Sequence, residues 1–270
     1  MQKVGVHSGP TRFFRVELLT ETLCQDGDLG GIAVSRVHPT AVVSGDAVIA
    51  DDVVIGPYAV VHPYVRLASG VRVDAHAVLG GDPQDLSFAG GVTWLEVGRD
   101  TMIREAAIVH RATGPDVPTR IGASCLIMGQ VHISHDSQVG DRVVVAQRTA
   151  LAGHVTVESD AWIGGMTAVH QHVRIGRGAM IGALAKVTRD VLPFCAVDGN
   201  PATHRALNVV GLRRAGVSAE ECRMLRQAYN RLRSGLSLDD HAGLVGRLAE
   251  FLDVPSRRGI SAFRRVREMA

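Results

Sequence analysis

The 270-residue chain is 46% hydrophobic but only 4% aromatic, so its apolar content is aliphatic and small, and a core made from it stacks thin repetitive layers in place of bulky rings. Twenty-nine basic residues against 27 acidic ones leave a formal charge of +2, which argues against a nucleic-acid protein with a dominant basic face. The cysteines Cys24, Cys125, Cys195 and Cys222 form no CxxC pair and no stretch approaches the ~18 apolar residues of a membrane span, so reduced thiols in a soluble, cytoplasmic protein are expected.

Residues 1–35 carry no convincing period and read as an N-terminal extension, either an arm or a short pairing element. From Val37 an aliphatic residue returns every sixth position, through Val43, Ile49, Ile55, Val61, Leu67 and Val73 to Leu79. The pattern lapses across Gly80 to Thr93, resumes at Val97, Ile103 and Val109, and lapses again across Arg111 to Thr119. It then runs in phase from Ile121 to Val187, with small or β-branched residues such as Ala41, Ala59 and Ala77 four positions after many of the aliphatic ones. Six is neither the period of a helix nor that of a simple strand. A parallel β-helix over residues 36–193 satisfies it, each hexad supplying one side of a three-sided coil. Beyond Pro193, Ser218 and Glu221 have the spacing of a capping box, and Leu225, Ala228, Leu232, Leu244, Leu248 and Leu252 have helical spacing, which predicts a small α-helical domain over 194–270.

Three hexads make one coil, so residues 18 apart stack. His135, Gly153 and Gln171 form one column, Asp136, His154 and His172 the next, with His132 and His170 beside them. Five histidines thus share one stripe. Converging imidazoles could bind zinc. Alternatively, one neutral imidazole could act as general base on a hydroxyl, a carboxylate holding its tautomer, and the adjacent His135–Asp136 pair suits that reading. Gly153 offers an unobstructed backbone N–H of the kind an oxyanion needs.

Several segments carry a resemblance: Pro83-Gln-Asp-Leu, Ile108-Val-His-Arg-Ala-Thr, His132-Ile-Ser-His-Asp136, Leu151-Ala-Gly-His154, Ile163-Gly-Gly-Met-Thr-Ala-Val-His-Gln171 and Asp198-Gly-Asn-Pro-Ala-Thr203. With these the sequence resembles the UDP-N-acetylglucosamine O-acyltransferases of lipid A biosynthesis, hexapeptide-repeat proteins, over about residues 36–270. The resemblance implies a left-handed coil, a homotrimer with sites between subunits, and a 3-hydroxyacyl donor on acyl carrier protein, with no cofactor, no metal and no membrane insertion. It implies His135 as general base for the sugar 3-hydroxyl, Asp136 as its support and the Gly153 amide as oxyanion donor. Asp85, His132, His154, His170 and Gln171 would line the acceptor and acyl site, Asn208 and Arg214 would contact the nucleotide, and Ala183 would act as an acyl-length ruler.

Departures accompany the match. Ser87 stands where the family usually has lysine and Val210 where it has an acidic residue; one 18-residue coil is missing before Gln84. A paralogous acyltransferase with another amino-sugar or nucleotide-linked acceptor is the alternative. A zinc enzyme like the γ-carbonic anhydrases and a non-catalytic scaffold trimer are the other classes.

Overall fold

The computed structural model describes residues 37–238 and 242–264; the extension at 1–35, with Cys24, lies outside the described residues. The six-residue repeat sets the architecture. Each hexad contributes a short strand and a two-residue turn, and three hexads close a triangular, left-handed coil. Stacked coils give three parallel sheets of eight, seven and nine strands, the nine-stranded one ending in a single antiparallel strand. In uninterrupted coils strands pair 18 residues apart, as Leu126 with Val144, Val144 with Trp162 and Trp162 with Met180.

The aliphatic residue of each hexad points inward. Ile55, Ile103, Ile127, Ile163 and Ile181 are buried, and so are Ala59, Ala107, Val143, Ala161 and Ala179 at the narrow corners. Each buried Ile or Val contributes about 1.5–3 kcal/mol over leaving it exposed. Large rings would not fit so thin a prism, which explains the aromatic poverty.

Where the period lapses, the coil continues and extrudes a loop. Across Gly80–Thr93 partners stand 30 residues apart (Val65 with Leu95, Arg72 with Met102, Val78 with Ile108). Across Arg111–Thr119 they stand 24 apart (Met102 with Leu126, Ile108 with His132). The loops add two hexads and one, so the inward phase survives on both sides. Both leave from the edge between the eight- and seven-stranded sheets, the edge on which His135 and Asp136 lie.

Past Pro193 the nine-stranded sheet is extended by a hairpin. Cys195–Gly199 runs parallel to Met180–Ile181, and Ala202–Leu207 returns antiparallel to it. Helices α1 (Val209–Arg214), α2 (Ala219–Arg233) and α3 (Gly243–Asp253) come next. The capping box forms at α2: the Ser218 hydroxyl accepts from the Glu221 N–H, and the Glu221 carboxylate accepts from the Ser218 N–H. Leu225, Ala228, Tyr229, Leu248 and Phe251 join Leu192, Phe194 and Leu207 in a second core that holds more of the chain's few rings. His204 lies in this part, 1% exposed, with Nε2 accepting from the Leu192 N–H and Nδ1–H donating to the Ser261 carbonyl. Burial pulls its pKa down to about 4. Cys125 and Cys195 are buried free thiols, and burial pushes both up, Cys125 to about 11.

Candidate active site

At most coil corners from Tyr58 onward the second turn residue adopts the left-handed conformation, as do Asp136 (φ 59°), His154 (φ 59°) and His172 (φ 62°). On a flat strand, neighbouring side chains point to opposite faces. The left-handed corner turns them together, and His135 Nδ1 lies 2.7 Å from Asp136 Oδ2. The same carboxylate accepts from the Thr113 N–H (3.0 Å) and the Thr113 hydroxyl (2.8 Å), both on the six-residue loop. The Thr119 hydroxyl accepts from the Asp136 N–H, fixing the backbone. Burial works to raise the Asp136 pKa, but the hydrogen bonds from His135 and Thr113, with the field of His154, outweigh it and hold the carboxyl below its ordinary value. An ionised Asp136 accepts a hydrogen bond from Nδ1–H, which fixes the tautomer and leaves the Nε2 lone pair as the basic site.

That nitrogen faces Asp85 Oδ2 at 3.9 Å, beyond direct hydrogen bonding. Asp85 is carried by the twelve-residue loop. Its other oxygen accepts from both the Ser87 N–H (2.8 Å) and the Ser87 hydroxyl (2.7 Å), and these bonds, the hydroxyl's first, lower its pKa. Ser87 therefore supplies no ammonium; it aims a carboxylate.

The His135 ring lies flat against Gly153: a Cβ there would stand 2.6 Å from Cε1 and 2.8 Å from Nε2. Only glycine admits the imidazole. Gly153 is buried, and its N–H donates to no partner among the described residues. On the outer face of the eight-stranded sheet, His132 Nε2 is 3.1 Å from Nδ1 of His110. Burial, then the neighbouring His132 and His135, brings the buried His110 down to about 4; burial and His135 also lower His132. Above His135 the stripe continues, His154 edge-on to it at 5.3 Å and stacked on His172 at 4.6 Å.

Of the residues expected from sequence, His132, His135, Asp136, Gly153, His154 and Asp85 converge, with His170 and Gln171 on the next coil. Asn208 does other work: its Oδ1 caps α1 by accepting from the Gly211 N–H, and its Nδ2 donates to the Gly178 carbonyl. Arg214 is exposed in the last turn of α1, and Val210 is exposed on the same helix. Ala183 is exposed on the opposite edge of the eight-stranded sheet, beside exposed Leu184 and Met166. Sequence reasoning passed over His110 and Thr113, although both stand in a segment that carried the resemblance; His172 stacks on His154 as the 18-residue column places it.

Donor atoms of His135, Asp136 and His154 lie within 4.8 Å of one another, close enough to hold a metal ion. Two ligands of a tetrahedral zinc at ~2.0–2.1 Å would stand about 3.3 Å apart. The His135–Asp136 separation of 2.7 Å is instead that of a shared proton. This donor set fits a relay better than a zinc site.

A three-sided hexapeptide prism bearing a His–Asp pair against a glycine on one edge defines the hexapeptide-repeat acyltransferase class. The model of the family described as UDP N-acetylglucosamine O-acyltransferase, domain 2, matches residues 190–267. The chain is 42% identical over 195 residues to an acyl-[acyl-carrier-protein]–UDP-N-acetylglucosamine O-acyltransferase of Paracoccus denitrificans, covering 69% of this chain and 75% of that one. A Synechocystis protein of the same description is 44% identical over 163 residues, 60% of this chain and 59% of its own length, so the match spans less than two thirds of that relative. The crystal structure of the Moraxella catarrhalis UDP-N-acetylglucosamine O-acyltransferase superposes with a TM-score of 0.70 at 35% identity, covering 84% of this chain and all of the other (100%). The chain belongs to the UDP-N-acetylglucosamine O-acyltransferase family.

Proposed function

We propose that this protein transfers a 3-hydroxyacyl chain from acyl carrier protein to the 3-hydroxyl of UDP-N-acetylglucosamine. The observation that carries the reading is His135, held at Nδ1 by an ionised Asp136 and presenting a free Nε2 beside the open Gly153 N–H. Nε2 takes the proton of the sugar hydroxyl as its oxygen adds to the thioester carbonyl. The Gly153 N–H donates to the oxyanion that forms. The intermediate collapses by breaking the carbon–sulfur bond, and the departing thiolate receives the proton back from Nε2. Asp136 remains ionised throughout, stabilising the imidazolium. Asp85, aimed by Ser87, accepts a hydrogen bond from the acceptor sugar next to the reacting hydroxyl.

The chemistry needs no cofactor beyond the acyl carrier itself. A homotrimer with sites between subunits is the assembly this reading takes from the family, and the cytoplasm, where carrier and nucleotide sugar meet, its location. No helix among the described residues is long and apolar enough to cross a membrane. His154, His170 and Gln171 line the acceptor and acyl site, and Arg214, exposed in the last turn of α1, contacts the nucleotide end. Ala183 limits acyl length: exposed Ala150 and Ala168 make a smooth outer face on the eight-stranded sheet between the histidine edge and Ala183.

Purified protein offered several UDP-sugars with a panel of acyl carrier thioesters, with products identified by mass spectrometry, tests the reading. Acylation of UDP-N-acetylglucosamine at oxygen is the expected outcome. Acylation of another sugar alone would move the acceptor, and no acylation would reject the function.

A further inference from the structure

The C-terminal segment beyond α3 returns to the histidine edge. The corner after Val187 is tighter than those below it, since Val191 already pairs with Ile175. The returning chain fills the space: the Asp190 N–H donates to the Gly259 carbonyl, the Ser261 N–H to the Asp190 carbonyl, and the Ser261 hydroxyl to the Arg189 carbonyl. A turn closed by the Ser256 hydroxyl, which accepts from the N–H groups of Arg258 (3.1 Å) and Gly259 (2.7 Å), aims two arginines outward. Arg257 Nη1 reaches within 3.5 Å of His172 Nδ1, and Arg258 Nη2 within 2.5 Å of His170 Nδ1.

A guanidinium can only donate, so in both contacts the imidazole nitrogen is the acceptor. Arg189 lies alongside, its Nη1 3.9 Å from where a Cβ on Gly259 would be. None of Arg189, Arg257 and Arg258 pairs with a carboxylate among the described residues. On nearby coils Arg142, Arg174 and Arg177 all do. Asp190, the nearest buried acid, is taken by Arg174. The Arg258 Nε is buried without a hydrogen-bond partner among the described residues. Three permanent positive charges without a carboxylate partner among the described residues, one with an orphaned buried donor, end the histidine stripe, and two of them touch it.

We propose that Arg257 and Arg258, backed by Arg189, form a phosphate subsite at the end of the histidine stripe. This rests on the acyl-transfer reading for its ligand class, a phosphate ester. Two groups supply that chemistry: the diphosphate of the nucleotide sugar and the phosphate of the carrier's pantetheine arm. A planar guanidinium suits either.

Calorimetric titration of the full chain with UDP and, separately, with 4′-phosphopantetheine tests it, comparing wild type with the Arg257→Gln/Arg258→Gln double variant. Loss of one or two charge-assisted hydrogen bonds weakens binding about 10- to 100-fold. One ligand should lose that much and the other little; the loser identifies the source. Both affinities within twofold of wild type would overturn the subsite. If the double variant melts without a cooperative transition, Arg257→Gln alone, altering an exposed side chain, is titrated instead; a several-fold loss supports the subsite and no change rejects it. Binding is read without turnover, so absence of product from wild type would reject the acyl-transfer reading by itself.

Discussion

Two edges of the prism share one backbone and do opposite things with it. On the edge between the seven- and nine-stranded sheets, side chains seal the turn amides: Asp141 Oδ1 accepts from the Ala123 N–H at 2.8 Å, and the Ser159 hydroxyl from the Asp141 N–H at 3.1 Å. There Asp160 is clamped between Arg142 and Arg177. On the histidine edge the same left-handed corner holds Asp136, but its carboxylate turns to the His135 ring and to Thr113 on the extruded loop, and the Gly153 N–H is left open among the described residues. The corner is a fixed platform. Side-chain choice decides whether it closes the backbone or exposes donors and a base for chemistry.

The comparison breaks most visibly at the base. His135→Ala should lower kcat by about 100- to 10,000-fold, the range of a lost general base. Asp160→Ala on the sealed edge removes exposed ion pairs worth about 0–1 kcal/mol and should leave kcat within twofold. Initial rates of the two variants decide; an equal effect would erase the distinction between the edges.

Next in size is Asp136→Asn, which keeps the shape and removes the charge that selects the tautomer. A loss of about 100-fold in kcat with little change in KM is expected, and steady-state kinetics separate the two. A KM effect alone would make Asp136 a binding residue.

A third contrast sets His204, sealed in the second core, against the working histidines. Its folded pKa of about 4 lies below the ~6.5 of the unfolded imidazole. Between those values the unfolded chain binds the extra proton, so stability is full above pH 6.5 and falls as the pH drops toward 4, by roughly 2–4 kcal/mol from this group. Buried His110 adds to the same window. Thermal melts at pH 7.5 and 5 should show the fall. His204→Gln should flatten it while leaving kcat intact at pH 7.5; an unchanged pH slope would remove His204 from the account.

The smallest effect belongs to Ala183→Gly. Removing a methyl from the proposed ruler should favour a somewhat longer acyl chain, at about 1–3 kcal/mol per methylene. Competition between acyl carrier thioesters of different length measures it, and identical preferences would retire the ruler.

The sequence revealed most where spacing is rigid. Val and Ile at every sixth position fixed the prism's inward face, and the two lapses matched loops because each inserts whole hexads. The columns of His135 below Gly153 and Asp136 below His154 came from the same arithmetic, because a coil tolerates no slip. Thr113 could not be placed that way, since its loop leaves the repeat before folding back to Asp136. Arg257 and Arg258 lie 85 and 88 residues from the histidines they touch and share no period with them. Asn208, expected at the nucleotide, is spent on a helix cap, a role that α1's position decides.

One matched pair tests the claim of two edges most directly: Gly153→Ala and Gly140→Ala, each assayed for initial rate and melting temperature. A Cβ on Gly153 would stand 2.6 Å from the His135 ring, and one on Gly140 would stand 2.6 Å from the Ser159 backbone nitrogen. Gly153→Ala should lose about 100-fold in rate with a small change in melting temperature. Gly140→Ala should keep its rate and lose about 1–3 kcal/mol of stability, several degrees at ~2–4 °C per kcal/mol. Equal losses of rate in the two variants, or full activity in Gly153→Ala, would contradict it.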